Sequence, residues 1–381
     1  MTDKDKIEIT ALHPTRAELL RYIHFGIDLY KGNACFVPPL IVDELETLDP
    51  TRNPAAEQCD SQSFMAWRGG KPVGRITAII NREANRRFGS KAMRFGWVDF
   101  IDDADVVDAL FDAAAQWGRS MGMTEMIGPM GFTDMDHEGM LVEGFDEMGT
   151  MATIYNYPYY PRHMERMGFA KDADWIEFRM KVPEAVPEKM QRIADIVARK
   201  YDLHSVRFTS KKELKRKYGH AFFRLINEAY ADLYGFVPLT DRMIDSYVNT
   251  YLSILRLEDL SIIVDGEGHL AAAGISMPSL SAALRRSGGR LFPTGWWHLL
   301  GAIRGRGVDV VDLMLVAVRK DLLGKGVNSM LFADLIPRYI SHGYLWAESN
   351  LELEVNANVQ RQWDYFEHRQ HRRRRAWRKP I

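Results

Sequence analysis

Val310-Val311-Asp312-Leu313-Met314-Leu315-Val316-Ala317-Val318 runs directly into Arg319-Lys320-Asp321-Leu322-Leu323-Gly324-Lys325-Gly326-Val327-Asn328-Ser329-Met330-Leu331. The first nine residues, almost all apolar and often β-branched, predict a buried strand. Gly324 and Gly326 let the backbone turn with positive φ and present bare N–H groups. The residues after them have the apolar spacing of a helix. A helix N-terminus favours an anion, and Lys325 adds a full positive charge. Strand, glycine turn and helix together predict a phosphate seat made by Leu323, Gly324, Lys325, Gly326, Val327, Asn328 and Ser329.

The rest of the chain sets the scale. Its 381 residues suggest about two domains. It is 46% hydrophobic and 27% charged, which suits packed cores rather than disorder. The formal net charge of −1 gives no overall pull toward nucleic acid or an anionic membrane. Charge is concentrated at one end: between Arg369 and Lys379 there are six arginines, one lysine and no acid. Two cysteines, Cys35 and Cys59, lack metal-type spacing and predict reduced thiols in the cytoplasm. Met1-Thr2-Asp3-Lys4-Asp5-Lys6 lacks the apolar core of a signal peptide, and no uncharged run is long enough to span a bilayer. The expectation is a cytoplasmic protein with no membrane partner.

Periodicity divides the chain into similar halves. The first half reads as helix Arg16–Lys31, a hairpin of strands (64–68 and 73–80), a strand at 94–101, helix 104–121, a short strand at 125–128, a loop over 129–150, a short helix ending near Met167 and a closing strand at 175–182. The second half reads as helices 211–234 and 241–255, a hairpin (260–264 and 269–277), an arginine- and tryptophan-containing insertion at 281–306, the opening strand and helix, a strand at 344–349, helix 352–368 and a basic strand or tail. Val-Pro-Glu-Ala-Val-Pro-Glu-Lys at 182–189 predicts an extended connection. The expected domains are 1–182, a linker at 183–189, and 190–381. The repeat is architectural, not residue by residue, and argues for two mixed α/β domains of one design.

That order of elements resembles the GCN5-related N-acetyltransferase (GNAT) superfamily. Its Gln/Arg-x-x-Gly-x-Gly/Ala turn corresponds to Leu323–Asn328, with Gly326 matching and Leu323 and Asn328 departing. Asn356-x-x-Val359-x-x-x-Trp363 resembles the family's Asn-x-x-Ala-x-x-x-Tyr, with Trp363 in place of the tyrosine. Gly74–Asn81, Gly128-Pro129-Met130, Tyr155–Tyr160 and His371–Arg374 are similar to a bacterial group of tandem acetyltransferase-like proteins. The resemblance implies an α/β fold (α+β mixed sheets) of two tandem acyl-CoA N-acyltransferase (GNAT-like) domains. It implies acetyl-CoA or another acyl-CoA as co-substrate and a small-molecule or peptide amine as acceptor. It further implies a backbone donor among Val316, Ala317 and Val318, a base in Asp312 or Glu348, an acid in Tyr365, and Asn356 near the cofactor.

Charge distinguishes the halves. The turn equivalent to the phosphate seat is Ile101-Asp102-Asp103-Ala104-Asp105, whose carboxylates would repel a diphosphate. The second domain is therefore expected to hold the acyl-CoA and the first to be degenerate. Asp134-x-Asp136-His137-Glu138, with Glu143 and Asp146, fits neither an EF-hand nor a His-x-x-x-His pair, and no metal is expected. Two other readings stand beside acyl transfer. One is a non-catalytic ligand-binding or scaffold protein of the same fold. The other is an RNA-associated protein using the basic tail, which the neutral remainder disfavours.

Overall fold

The computed structural model describes residues 6–381; Met1–Asp5, most of the polar start, lies outside the described residues. In chain order the first elements are β1 (Ile7–Ala11), α1 (Arg16–Asp28), α2 (Ile41–Leu48), β2 (Cys59–Arg68), β3 (Lys71–Asn81) and α3 (Arg82–Phe88). Next come β4 (Ala92–Phe100), α4 (Ala104–Ser120), β5 (Glu125–Gly128), β6 (Met140–Glu143), α5 (Tyr159–Arg166), β7 (Ala170–Lys181), α6 (Glu188–Lys200) and β8 (Leu203–Val206). They are followed by α7 (Lys211–Leu214), α8 (His220–Ala229), α9 (Asp241–Ile254), β9 (Leu260–Asp265), β10 (Leu270–Pro278), α10 (Ser281–Ser287) and α11 (Gly295–Ile303). The last are β11 (Val310–Val318), α12 (Val327–Ser341), β12 (Trp346–Ser349), β13 (Glu352–Leu353), α13 (Ala357–Gln360) and β14 (His368–Pro380).

Two compact units form from these elements, and neither is one continuous half of the chain. The first comprises 1–175, 281–296 and 372–381; the second comprises 176–280 and 297–371. A single cut at 183–189 therefore differs from what the structure shows, and strand pairing gives the reason. In the first unit β5 pairs antiparallel with the end of β14, Trp377 opposite Gly128. In the second, β12 pairs antiparallel with the end of β7, Ala347 opposite Met180. Each unit takes its closing strand from the other half of the chain. The segment 281–296, expected with the second domain, belongs to the first: Ile41 donates its N–H to Gly289 O, and Gly289 lies against Pro39.

Within each unit the expected order holds. In the first, β1 to β4 form an antiparallel meander and β4 pairs in parallel with β5. In the second, β8 to β11 form another meander and β11 pairs in parallel with β12. Helix α4 starts where the Asp103 carboxylate accepts N–H bonds from Asp105 and Val106. Its Val107, Leu110, Phe111 and Ala114 lie in the first unit's core with Phe95 and Phe100. Helix α12 lays Leu331, Leu335 and Ile336 into the second unit's cores.

Two expected helices take other forms. The stretch 211–234 is α7, a π turn at Lys215–Gly219, and α8. The stretch 352–368 is β13, α13 and a 3-10 turn at Arg361–Tyr365. Apolar residues there are too sparse to hold a full helical face: Val355 is exposed, and it is Trp363, Tyr365 and Phe366 that pack on the cluster around Phe332. Among the described residues, no helix is long and apolar enough to cross a membrane.

The basic C-terminus is neither a tail nor a solvated edge. Arg372 and Arg374 are each 1% exposed and bond to the carbonyls of Met148 and Ile154. Arg375 makes a two-point pair with Asp174 (2.8 and 3.0 Å), which Arg373 also meets at 3.1 Å. Arg378 pairs with Asp172 and Glu125. Burial alone would raise the Asp174 pKa, but hydrogen bonds from Arg375 and Lys171 outweigh it and hold the carboxyl below its usual 3.8. Replacing Arg375 by Ala is expected to cost about 3 kcal/mol in urea unfolding, the lower end for a broken buried pair because Arg373 and Lys171 remain. That contribution is present above the ordinary aspartate pKa and is lost as acidification passes through the depressed value, so the deficit of the variant should shrink in acid.

Candidate functional site

A β-bulge opens the second unit's parallel pair. Along β11, Leu315 faces Ile275 and Leu313 faces Ser276, so Met314 is an extra residue. Before the bulge, Val310–Leu313 pair with Trp346–Ser349 of β12. After it, β11 continues with no strand on that side among the described residues. Arg319 N–H bonds back to Ala271 of β10, so strand alternation turns the peptide groups of Val316 and Val318 away from β10 and into the gap. Two carbonyls along this edge are met by side chains: Asn350 Nδ2 donates to Met314 O at 3.0 Å, and Tyr230 Oη donates to Val316 O at 3.0 Å.

The glycine turn lies at the end of this edge. Gly324 and Gly326 have φ of +71° and +85°. Gly326 is the residue before α12, and no side chain caps that helix. Among the described residues, the backbone N–H groups of Gly324, Gly326, Val327 and Asn328 have no acceptor. A Cβ at Gly326 would stand 2.9 Å from Ile193 of α6, so this glycine serves packing as well as conformation. A Cβ added at Gly324 would meet none of the described residues within 4 Å, its chain neighbours aside. The cations divide. Arg319 is held by Asp321 and Asp265 at 2.7 and 2.8 Å, and Lys320 by Asp232 at 3.3 Å. Lys325 sits over the Tyr201 ring at 5.1 Å and makes no ion pair among the described residues. Leu323 is exposed, Val327 and Ser329 are buried at the helix start, and the Asn328 amide donates to Gln362.

Asp312 and Glu348 face each other across the closed part of the parallel pair, both buried. Arg179, opposite Glu348 on β7, approaches its carboxylate to 3.7 Å. Ala317 is buried in the sheet. Asn356 caps no helix with its side chain. Tyr365 is half-buried, with Lys189 over its ring at 5.4 Å. Trp363 is core, and its indole N–H donates to both Glu352 oxygens at 2.9 and 3.1 Å. Glu352 was not apparent from sequence, because a continuous helix over 352–368 would place it on a solvated first turn. Burial pushes its carboxyl up to about 7, against the opposing hydrogen bond from Trp363.

The first unit carries the same bulge, with Trp97 and Val98 opposite Ile76, and the same short parallel pairing, Ala92–Arg94 with Glu125–Ile127. Its gap is filled. Tyr160 stacks on Phe100 with centroids 4.1 Å apart and accepts the Phe100 N–H; Tyr159 donates to Phe100 O at 2.7 Å. Met130 N–H bonds to Phe95 O. At the helix start Asp103 takes the N–H groups and His163 sits on Asp102 at 2.8 Å. Behind these, Asp99 binds Arg75 at 2.6 Å and accepts the Tyr30 hydroxyl at 2.7 Å. The acidic loop between β5 and β6 serves separate tasks. Asp136 accepts Thr133 N–H, His137 bonds Met151 O, and Glu143 pairs with Arg373. Burial, then Asp136, push Asp134 up to about 7, and burial, then Asp134, push Glu138 well up. Among the described residues, no group of three or more His, Cys, Asp or Glu is placed to hold a metal ion.

No family model matches the chain. It is 28% identical to Protein YghO of Escherichia coli K12 over 80% of this chain and 77% of that one. It is also 28% identical to a Bacterial ceramide synthase of Caulobacter vibrioides over 80% and 79%. Among solved structures, it superposes on a tandem GNAT protein from the clavulanic acid biosynthesis pathway over 98% of both chains (TM-score 0.56, 12% identity). It superposes on a GCN5-related N-acetyltransferase from Sphaerobacter thermophilus with a TM-score of 0.51, at 12% identity and over 100% and 96% of the two chains. The chain has the fold of the GCN5-related N-acetyltransferases, arranged in tandem.

Proposed function

We propose that this chain is an acyl-CoA-dependent N-acyltransferase whose donor lies in the second unit, with its diphosphate on Leu323–Ser329 and its thioester in the gap beside β11. One contrast carries the reading. Among the described residues, the second unit's helix start offers N–H groups without acceptors and a Lys325 held in no ion pair, while the first unit's equivalent is filled by its own tyrosines and aspartates. A diphosphate would satisfy those N–H groups. The pantetheine arm would lie along the edge of β11, and an N–H of Val316 or Val318 would polarise the thioester carbonyl. The acceptor amine must lose a proton to attack. We assign that proton to Glu352, whose pKa of about 7 suits a base at neutral pH, ahead of Asp312 and Glu348 in the closed section. Attack gives a tetrahedral intermediate; its collapse breaks the C–S bond, and Tyr365 protonates the departing thiolate. The relative named as a bacterial ceramide synthase favours, within the class of amines, one borne on a long-chain lipid, and a fatty rather than an acetyl donor.

A non-catalytic ligand-binding protein is the second reading. Trp363 favours it, because its buried indole is bonded to Glu352 and has no proton to offer a thiolate. Against the RNA reading stand the internal pairs that Arg373, Arg375 and Arg378 of β14 make.

Titration calorimetry with acetyl-CoA and palmitoyl-CoA tests donor binding. Lys325→Glu and Gly324→Asp are expected to weaken binding by roughly tenfold or more, as expected for reversing or adding charge at an anion site. Both sites are exposed, and Lys325→Glu should leave folding intact; Gly324→Asp also strains a backbone at φ +71°, so thermal unfolding is read beside its affinity, whereas a change at Gly326 would in addition press on Ile193. Unchanged affinity in both variants would refute the placement, and binding without acyl transfer to any amine would support the second reading. The rate should rise with pH through about 7 and level off. Glu352→Gln should lower kcat by roughly 10²- to 10⁴-fold and abolish that rise while leaving donor affinity intact. The same carboxyl titrates above its ordinary 4.5, so its contribution to stability is complete below that value and lost as pH climbs to about 7. The Gln variant should therefore show a flatter stability profile over this window.

A further inference from the structure

The first unit carries a cavity that neither the filled gap nor the acidic loop uses. It is open and measures about 680 Å³, and it lies between α1, the β2–β3 turn at Pro72, Ile101 after β4, and Arg290. On α1, Arg21, His24, Phe25 and Asp28 fall on one helical face, with Arg21 and Asp28 roughly 10 Å apart along the axis. Phe25, Leu29, Pro72 and Ile101 supply an apolar lining. The walls are held from behind. Tyr22 O accepts Arg75 Nη1 at 3.0 Å, and a Cβ at Gly26 would stand 2.0 Å from the same guanidinium, so α1 is seated on the buried Arg75–Asp99 pair. Gly289 O accepts the Ile41 N–H at 3.0 Å, which fixes the residue before Arg290. The charged side chains of the lining are uncommitted. Among the described residues, Arg21, His24, Asp28 and Arg290 make no side-chain hydrogen bond and no ion pair; Arg21 only rests by the Trp67 ring at 5.8 Å. The acids next to Ile101 are engaged elsewhere, Asp102 with His163 at 2.8 Å and Asp103 with Arg68 at 2.7 Å.

We infer that this cavity binds an amphiphilic anion, a carboxylate or phosphate carried on an apolar body. A concave site with apolar walls and a few converging polar groups is the common form of a small-molecule site, and the volume falls within the usual span of roughly 300–1,000 Å³. Charge decides the ligand's sign. Two guanidinium groups and an imidazole line the cavity against the single carboxylate of Asp28, so an anion is favoured over a cation. Guanidinium N–H groups match the paired oxygens of a carboxylate or phosphate, and the imidazole of His24 can donate to the same head. Phe25, Leu29 and Ile101 would cover the apolar body, a gain that grows with the area removed from water. The inference is independent of acyl transfer, since every lining residue belongs to the first unit and the proposed donor seat to the second.

Titration calorimetry of the full chain with octyl phosphate and octanoate tests it, with octanol and octyltrimethylammonium as controls of equal chain length. At least one of the anions should bind, roughly tenfold or more tightly than either control, and the tighter of the two identifies the head group. Added salt should weaken the binding. Arg21→Glu with Arg290→Glu should reduce the affinity roughly tenfold or more, while Asp28→Asn should not reduce it. All three positions are exposed, and thermal unfolding reads out the fold of each variant. Arg21→Gln and Arg290→Gln, made singly, should each cost roughly threefold and serve if the double variant unfolds. Saturating coenzyme A should leave the binding intact. Binding of neither anion, equal binding of octanol, or an affinity that the arginine variants retain would overturn the proposal. So would displacement by coenzyme A, since the anion would then occupy the second unit's seat.

Discussion

A parallel strand pair that separates partway along leaves backbone N–H and C=O groups inside a protein, and each must find a partner. The bulges at Met314 and at Trp97-Val98 create this obligation twice. The first unit meets it with its own side chains. Tyr159 and Tyr160 bond both polar groups of Phe100, Met130 meets Phe95, and Asp103 takes the adjoining helix start. The second unit meets it in part, through Asn350 and Tyr230 on two carbonyls. Among the described residues, its N–H groups at Gly324, Gly326, Val327 and Asn328 have no acceptor, which leaves them to an anion in the proposed reading. The asymmetry between two units of one design, which the proposed function uses, follows from how each satisfies the same broken ladder.

The exchange of closing strands ties the charge of the C-terminus to folding. Strand β14 carries arginines because it closes the first unit between β5 and β7, with β6 also paired to it, and Asp172, Asp174, Glu125 and Glu143 wait for them. Buried guanidinium groups are tolerable only where carboxylates or carbonyls receive their protons, and Arg372 and Arg374 find carbonyls. A cluster that reads as nucleic-acid-binding when taken alone is a set of internal bonds.

Much of the architecture was legible in sequence because it rests on local periodicity. The hairpins, the glycine turn, α4 with its Asp103 cap and the repeated element order are all short-range signals. The exchange of β7 and β14 was not legible, because strand partners are set by contacts across some two hundred residues and leave no local mark. Helix 352–368 misled for a related reason: its spacing is compatible with a helix, but Trp363 and Phe366 are drawn to Phe332. Glu352 disappeared with that misreading. At the site, Gly324, Lys325 and Gly326 were readable from residue type. The neutralisation of Arg319 and Lys320 was not, since Asp265 and Asp232 come from distant elements. The filling of the first gap was half readable: the aspartates were visible, while nothing in their residue type placed Tyr159 and Tyr160 in the gap.

Hydrogen–deuterium exchange with and without coenzyme A tests the central claim most directly. The account predicts slowed exchange at Gly324–Ser329 and along Met314–Val318, with no change at Phe100–Val106. Slowed exchange at Phe100–Val106, or none at Gly324–Ser329 under saturating ligand, would contradict it.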